Sequence, residues 1–337
     1  MLPAWPDRAM DASSPPDAPQ PAPVPPAEQA GAESQHSKGE ILRSHSVAQD
    51  DSTVQSAATI RDALAWATPI LTDAGVPSPR LDAEVLLAHV LDSTRARLYA
   101  EPETELQKRQ RDLFVAAVER RQRREPVPYI TRHREFYGLD FVVDRRVLIP
   151  RPETELLVER ALESAARWTR PILADIGTGS GIVAISLAVH LPHATIYATD
   201  ASINPLQVAA RNAARHGVVD RLRLLYGDLL DPLPEPVHVM VANLPYVPTA
   251  VLTTLDPDVA DYEPLAALDG GPDGLLHIRR LLVEAGDWLL PDGVILLEIG
   301  AGQGQHVVAL AAQQFPDAQV DCFHDYARLD RIVRVQT

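Results

Sequence analysis

The sequence predicts an α/β fold, in which helices cover both faces of a mainly parallel, doubly wound sheet. From residue 171 to the C-terminus, short β-branched runs alternate with helical segments. Such alternation requires crossover connections between parallel strands. The last two runs, residues 319–323 and 332–335, follow each other without a helix, so we expect an antiparallel pair at one edge. A small helical bundle and a β-hairpin precede this domain.

The composition limits the classes of function. The chain has 337 residues and a net charge of −15, and 46% of its residues are hydrophobic. This acidic balance argues against binding to nucleic acid mainly through phosphates, which needs a basic surface. The single cysteine, Cys322, excludes an internal disulfide framework, and no run approaches the ~20 apolar residues of a membrane span. We therefore expect a soluble, cytoplasmic monomer with no direct DNA binding and no membrane association.

Four regions are expected along the chain. Nine prolines fall within the first 26 residues, so residues 1–50 are predicted to be a disordered tail that cannot bury enough apolar surface to fold. Residues 51–126 are predicted to form the helical bundle, residues 127–149 a β-hairpin linker, and residues 150–337 the sheet domain.

Apolar spacing of three and four residues predicts the helices of the bundle. A first helix contains Ile60, Leu64 and Leu71, a second runs over residues 80–91, and a third spans about residues 103–123. The third ends in a basic run at residues 120–124. A solvated helix terminus, which is favourable against the helix dipole, is preferred there over a patch for an anionic partner.

The hydrophobic period then changes to that of short strands. We expect strands at residues 127–130, 135–143 and 147–149, with Gly138 in a turn. A helix with acidic residues in its first turn follows from residue 150.

Five strands are predicted in the sheet domain, at residues 172–175, 195–199, 222–226, 237–242 and 294–299. The fourth is apolar and β-branched, which is typical of a strand buried on both faces. Polar residues end the first four: Asp175, Asp200, Asp228 and Asn243. Ligands of open α/β sheets bind at this edge.

Each of the three carboxylates suits a part of one ligand. Asp200 can accept both hydroxyls of a ribose, Asp228 can receive an adenine amino group, and Asp175 can face an ammonium group. Treated singly, each is an ordinary strand-end turn former, but that interpretation does not readily explain four such placements beside a glycine loop.

The loop after the first strand reads Gly177-Thr178-Gly179-Ser180-Gly181. Glycine there lets the backbone approach a ligand and leaves the N–H groups of the next helix free. The third Gly stands one position too early for the dinucleotide fingerprint, and no Gly-Lys-Ser/Thr sequence marks a nucleotide P-loop. Groups for ribose and adenine without phosphate-binding residues point to S-adenosylmethionine. No His or Cys spacing indicates a metal.

The fourth strand ends in the turn Asn243-Leu244-Pro245-Tyr246. Pro245 fixes its own φ and pushes Leu244 into an extended conformation, so the turn is stiff. The Asn243 side-chain oxygen and the Leu244 carbonyl can accept two N–H groups, and the Tyr246 ring can cover a flat face. This array suits a planar group that bears an NH2. An ordinary Asn-Pro turn is the alternative for the tetrapeptide alone.

Eight segments carry a resemblance to a known family: Tyr129-Ile130, Glu135-Phe136-Tyr137-Gly138-Leu139, Leu148-Ile149-Pro150-Arg151-Pro152-Glu153-Thr154-Glu155, Asp175-Ile176-Gly177-Thr178-Gly179-Ser180-Gly181, Asn243-Leu244-Pro245-Tyr246, Glu263-Pro264, Ala267-Leu268-Asp269-Gly270-Gly271 and Leu297-Glu298-Ile299-Gly300. From about residue 55 to the end, the chain resembles the protein-(glutamine-N5) methyltransferases that modify peptide-chain release factors, the HemK/PrmC family.

The resemblance implies a class I, Rossmann-like S-adenosylmethionine-dependent methyltransferase domain behind a helical N-terminal substrate-recognition domain. The implied substrate is the glutamine of the Gly-Gly-Gln loop in class 1 peptide-chain release factors. The implied cofactor contacts are Asp175, Ile176, Gly177, Thr178, Gly179, Asp200, Asp228, Leu229 and Asn243. The implied catalytic and substrate-binding residues are Asn243, Leu244, Pro245 and Tyr246.

Three departures from the family pattern stand out. Leu244 replaces the usual first Pro of Asn-Pro-Pro-Tyr, which keeps the carbonyl but removes one φ restraint. His133-Arg134 follows Arg132 where the family often has a Gly, and the proline-rich head is not a family feature.

Other functions remain open from the sequence. Methylation of a ribosomal-protein glutamine would use the same groups, and so would adenine-N6 methylation of RNA, since Asn-Leu-Pro-Tyr also occurs in adenine-N6 rRNA dimethylases. A binding module without activity is disfavoured by the intact glycine loop, Asp200 and Asn243.

Overall fold

The computed structural model describes residues 59–337. The predicted disordered tail, residues 1–50, lies outside the described residues. Within residues 59–337, none of the helices has the length and apolar character that a membrane crossing requires.

The N-terminal part forms a helical bundle. Its helices are α1 (Ile60–Asp73), α2 (Pro79–Val90), α3 (Arg95–Ala100), α4 (Lys108–Gln122) and α5 (Val127–Thr131). A capping box starts α1, because the Thr59 hydroxyl accepts from the Asp62 N–H while the Asp62 carboxylate accepts from the Thr59 N–H. One apolar cluster that includes Leu71, Leu86 and Phe114 joins these helices.

Two strand predictions next to the bundle were wrong. Residues 127–130 begin the short helix α5, because Pro128 lies in its first turn, where the missing N–H has no helical partner to lose. Residues 147–149 form no strand, since the Ile149 N–H donates to the Glu263 carboxylate instead of to a neighbouring strand.

The sequence predicted a solvated helix terminus for the basic run at the end of α4, and this prediction was wrong. The Arg121 side chain is buried and pairs with both Asp82 and Asp258, at 2.7 and 2.8 Å. Arg124 also pairs with Asp258, and the Tyr262 hydroxyl donates to the Arg123 carbonyl. The bundle is therefore tied to the loop region that follows the fourth strand of the sheet domain.

The predicted hairpin is present but shorter than residues 127–149. Its strands are β1 (His133–Phe136) and β2 (Leu139–Val142), joined by Tyr137 and Gly138 with φ of 52° and 73°. Positive φ at both central residues is typical of a type I′ turn. Arg132 also has a φ of 67°, which explains why glycine suits this position in the resembling family.

Asn212 attaches the hairpin to the sheet domain. Its side-chain oxygen accepts from the Val142 N–H at 2.8 Å, and its side-chain nitrogen donates to the carbonyls of Val142 and Ser180 at 3.0 and 2.9 Å. The side chain is completely buried, so it connects β2 directly to the glycine loop.

The sheet has seven strands: β3 (Ile172–Ile176), β4 (Thr195–Asp200), β5 (Leu222–Tyr226), β6 (Val237–Ala242), β7 (Leu289–Glu298), β8 (Gln319–His324) and β9 (Asp330–Gln336). Their spatial order is β5-β4-β3-β6-β7-β9-β8. The first five are parallel, and β9 and β8 add the antiparallel edge that the sequence predicts.

Helices cover both faces of this sheet, which confirms the predicted fold class. Along β3, Leu173 joins a core with α6 (Glu155–Ala165) and α7 (Ile182–His190) on one face. Its neighbour Ala174 joins a core with α10 (Leu276–Glu284) and α11 (Gly304–Gln314) on the other. The remaining helices are α8 (Ile203–Arg215) and α9 (Pro257–Ala260). With both faces covered, the open carboxyl edge is where a ligand can enter.

Candidate active site

A cavity of about 410 Å³ lies at the carboxyl ends of the parallel strands, within the range of small-molecule sites. Of the residues predicted for the site, it brings together Asp175, Gly177, Thr178, Gly179, Asp200, Asp228, Leu229, Asn243, Leu244 and Pro245. Ile176 and Tyr246 are not among its lining residues. Ile176 is fully buried in the sheet core.

The glycine loop leaves room where a cofactor would approach. A Cβ built on Gly179 would meet no atom within 4 Å, and its φ of 58° favours glycine. A Cβ on Gly177 would come within 3.0 Å of the Leu244 side chain. The loop thus has bare backbone on the cavity side and packs against the Asn243 turn, which fits a ligand held by close backbone approach.

The Asp175 carboxylate holds the glycine loop in place through two hydrogen bonds. Its Oδ2 accepts from the Thr178 hydroxyl at 2.7 Å and from the Ala184 N–H, in the first turn of α7, at 3.1 Å. Burial raises the pKa of this carboxyl to about 6, against the opposing effect of these two hydrogen bonds. The loop, the strand end and the start of α7 are thereby fixed together.

Asp200 suits a ribose. Its Oδ2 accepts from the Gly179 N–H at 3.0 Å and its Oδ1 from the Ser202 N–H at 2.9 Å. Burial raises its pKa. Each carboxylate oxygen has a second lone pair, so both can still accept a hydroxyl while the backbone bonds hold the group in place.

Asp228 differs from Asp200 in its surroundings. Its side chain is about half exposed and forms an ion pair with Arg280 at 2.6 Å. It therefore lies at the rim of the cavity, where its carboxylate contacts solvent and is already paired with a cation. The next residue, Leu229, is buried with a φ of 43°, and its carbonyl accepts from the Thr199 hydroxyl.

The Asn243 turn begins where β6 ends. The Asn243 side-chain nitrogen donates to the Thr154 hydroxyl oxygen at 3.2 Å. The Asn243 side-chain oxygen takes no part in this bond and can accept from another group. After the turn, the Val247 N–H donates to the Leu268 carbonyl and the Val247 carbonyl accepts from the Gly270 N–H. The segment is thus fixed at both ends.

Tyr246 is held behind the turn. Its hydroxyl lies 3.5 Å from the Glu298 Oε1, and its carbonyl accepts from the Gln303 side chain at 3.1 Å. Burial, with a smaller effect from the Glu298 charge, raises the pKa of Tyr246 to about 12. A covering role for its ring at the substrate stays a prediction.

Three buried polar residues beside the site have no role that the sequence predicted. Thr154 contacts the Asn243 side chain, and Glu298 lies 3.5 Å from the Tyr246 hydroxyl. Glu263 pairs at 2.6 Å with Arg151, which lines the cavity. Thr154 and Glu263 lie in segments that carry the family resemblance, and Glu298 does so at the end of β7. An acidic residue at the end of an apolar strand that neighbours β6 is the signal that could have identified Glu298.

Family models match two parts of the chain. Residues 62–131 match the PrmC N-terminal domain, and residues 152–262 match the ribosomal protein L11 methyltransferase family, PrmA. The first match covers most of the helical bundle, and the second covers β3 to β6 with the glycine loop and the Asn243 turn.

Curated relatives match most of the chain. A release factor glutamine methyltransferase of Moorella thermoacetica is 46% identical over 81% of this chain and 96% of its own length. Proteins of the same name from Geobacter sulfurreducens and Chlorobaculum tepidum are each 41% identical, over 82% and 76% of this chain and 95% and 90% of their own. The chain belongs to the S-adenosylmethionine-dependent release factor glutamine methyltransferase family.

Proposed function

We propose that the enzyme methylates the side-chain nitrogen, N5, of the glutamine in the Gly-Gly-Gln loop of class 1 peptide-chain release factors. The observation that carries this proposal is the orientation of Asn243 at the cavity, with its nitrogen occupied by Thr154. An oxygen is therefore available for a substrate NH2. Release factors act in translation, so the proposed place of action is the cytoplasm.

The chemical difficulty lies in the substrate, because the lone pair of an amide nitrogen is delocalised and weakly nucleophilic. The Asn243 side-chain oxygen and the Leu244 carbonyl accept the two N–H groups of the glutamine. These bonds fix the direction of the nitrogen lone pair and stabilise the positive charge that develops on nitrogen. When bound, S-adenosylmethionine supplies the electrophilic methyl group. With that group bound, the nitrogen would gain a bond to the methyl carbon as the carbon–sulfur bond breaks, a neutral thioether would leave, and one N–H proton would pass to water.

The remaining predicted residues have supporting roles in this proposal. Asp175, Ile176, Gly177, Thr178 and Gly179 form the strand end and loop that border the methionine part of the cofactor, and Asp200 binds its ribose. Asp228 and Leu229 border the adenine. Pro245 keeps the turn stiff, and Tyr246 limits the substrate side.

The helical bundle is proposed to contribute to recognition of the release factor. Support comes from the ion pairs of Arg121 and Arg124 with Asp258, which hold the bundle next to the loop region after the Asn243 turn. A protein substrate that reaches the Asn243 turn would therefore lie close to the bundle. The residue ranges 51–126, 127–149 and 150–337 remain the proposed division into recognition domain, linker and catalytic domain.

A glutamine of a ribosomal protein is the second candidate substrate. The match of residues 152–262 to the ribosomal protein L11 methyltransferase family favours the ribosomal protein as substrate in this candidate. Adenine-N6 methylation of RNA has less support, because the chain is strongly acidic and a nucleic-acid substrate needs a basic surface.

The test offers S-adenosylmethionine with a labelled methyl group to four substrates in parallel. These are a purified class 1 release factor, the same factor with its loop Gln replaced by Ala, ribosomal proteins and rRNA. We expect label in the unaltered release factor alone. Equal labelling of the Gln→Ala factor, or label confined to ribosomal proteins or rRNA, would refute the proposed substrate.

A further inference from the structure

The side chain of Asn243 has two ends of nearly equal shape and opposite hydrogen-bonding character. Its oxygen can accept from a substrate NH2, whereas its own NH2 is a donor and cannot form a hydrogen bond with the N–H groups of the substrate. A rotation of 180° about the terminal bond would therefore convert a productive site into a repulsive one. Some neighbouring group must select the productive orientation.

Thr154 is placed to make this selection. It lies at the end of the 3₁₀ turn Pro152–Thr154, and only 1% of the residue is exposed. Its hydroxyl oxygen accepts from the Asn243 nitrogen at 3.2 Å. A hydroxyl that accepts this bond directs its own hydrogen to a different acceptor.

Glu298 is the buried carboxyl next to this pair. In the parallel pairing of β6 with β7, Ala242 lies opposite Leu297, so Asn243 and Glu298 are the next residues on the two strands. Glu298 is 1% exposed, and within the described part of the chain its Oε2 has no hydrogen-bond partner. Its Oε1 lies 3.5 Å from the Tyr246 hydroxyl. Burial raises the pKa of Glu298, and the nearby Thr154 and Asn243 side chains act in the opposite direction.

We propose that Thr154 and Glu298 are positioning residues that select the orientation of the Asn243 amide. Glu298 accepts the hydroxyl hydrogen of Thr154, which leaves the Thr154 oxygen as an acceptor for the Asn243 nitrogen. The Asn243 oxygen is then left for the glutamine NH2. The catalytic part of this inference rests on the proposed function, but the orientation of Asn243 does not.

The position of Thr154 is itself fixed by neighbouring contacts. Arg151, at the start of the same turn, pairs with the buried Glu263, which also accepts from the Ile149 N–H. These contacts attach the segment to the loop region after the Asn243 turn. A small change at Thr154 therefore acts on Asn243 without moving the surrounding backbone.

The test compares Thr154→Val, which replaces the hydroxyl by a methyl group, with Thr154→Ser, which retains it. Thr131→Val is the matched control, because Thr131 is also buried, its hydroxyl donates to the Val127 carbonyl, and it lies in the linker 127–149, outside the proposed recognition domain. Glu298→Leu and Glu298→Gln provide a second pair if Thr154→Val fails to fold. The readouts are kcat and KM for the release factor, S-adenosylmethionine affinity by calorimetry, and hydrogen exchange of the Asn243 side-chain NH2 by 15N NMR.

We expect Thr154→Val and Glu298→Leu to lower kcat at least about tenfold, with KM and cofactor affinity within about twofold of wild type. Exchange of the Asn243 NH2 should accelerate by a similar factor. Thr154→Ser should retain most of the wild-type turnover. Thr131→Val should change neither kcat nor the exchange rate of the Asn243 NH2.

Unchanged exchange in Thr154→Val would overturn the inference, and so would a loss of cofactor affinity in proportion to kcat. If wild-type enzyme labels no release factor, the proposed function fails. The exchange experiment needs no protein substrate and still decides whether Thr154 orients Asn243.

Discussion

Asn243, which directly follows β6, and Glu298, which ends the neighbouring parallel strand β7, lie one residue beyond the registered pair Ala242 and Leu297. This places a buried carboxyl directly beside the residue proposed to hold the substrate amide. Burial raises the pKa of Glu298 to about 7, although Thr154 and Arg331 act in the opposite direction and Glu153 adds to the increase. The pairing has consequences that are measurable without any substrate.

The stability of the protein should depend on pH through Glu298. An unfolded Glu releases its proton near pH 4.5, whereas folded Glu298 retains it to about pH 7. Between these values the folded state binds more protons, so the stabilisation is complete below pH 4.5 and is lost as the pH rises through 7. The loss approaches about 3 kcal/mol.

Glu298→Gln removes this titration. We expect the free energy of unfolding of the variant, relative to wild type, to increase by about 3 kcal/mol between pH 4.5 and 7, measured by urea denaturation. Asp175 titrates in the same direction, with a pKa of about 6, and is present in both proteins, so it cancels. A constant difference across this pH range would contradict the raised pKa of Glu298.

Replacement of Asn243 should separate chemistry from cofactor binding. In Asn243→Ala the acceptor for the glutamine NH2 is lost, so we expect kcat to fall about 100-fold or more. Calorimetry should still detect S-adenosylmethionine binding, because the glycine loop and Asp200 are intact. Turnover near the wild-type value would defeat the proposed mechanism.

Asp200 and Asp228 provide a matched comparison of two strand-end carboxylates. Asp200 is held by two backbone N–H groups, so we expect Asp200→Asn to weaken S-adenosylmethionine binding about 10- to 100-fold. Asp228 is exposed and paired with Arg280, and Asp228→Asn should weaken it less than about fivefold. Equal losses in both variants, measured by calorimetry, would mean that the two carboxylates contribute alike.

Removal of Arg121 should be costly for stability. The side chain is 4% exposed and pairs with both Asp82 and Asp258. Arg121→Met leaves Asp82 without its cation and Asp258 with Arg124 alone, and we expect a loss of about 3–5 kcal/mol in the free energy of unfolding. Addition of Asp82→Asn and Asp258→Asn should recover part of it. No recovery in the triple variant would point to lost packing instead of unpaired charge.

The proline-rich head should be dispensable for methyl transfer. Its composition argues against a folded contribution to the site, so an enzyme that lacks residues 1–50 should keep kcat and KM within about twofold of the full chain. An assay with purified release factor decides this, and a large rise in KM would assign the head a role in substrate binding.

The central strands of the sheet were predictable from the sequence because they are mostly apolar and are buried on both faces. Residues 222–226 match β5, and the strand at 237–242 matches β6. Boundaries were less certain where local signals compete. Residues 127–130 are β-branched and aromatic, but Pro128 suits a helical first turn equally well, and packing against the bundle decided in favour of α5.

The site was predictable only where residues follow the strand pattern. Asp175, Asp200 and Asn243 could be assigned to one edge because parallel strands share their direction. Arg121 was misinterpreted, since its partners Asp82 and Asp258 are 39 and 137 positions away in the sequence, too far for any local pattern to indicate pairing. Thr154 was missed for the same reason, because its contact with Asn243 depends on tertiary packing.

The three hydrogen bonds of Asn212 make the segment between the bundle and the sheet rigid. A connection that swings freely would let a docked protein vary its distance from the methyl donor. Here the buried Asn212 side chain forms hydrogen bonds with both β2 and the glycine loop. The hairpin is therefore held rigidly against the sheet domain. In the proposed function, a release factor bound by the bundle would therefore lie at a fixed distance from the cavity, and only a loop of matching length would extend its glutamine to the methyl group.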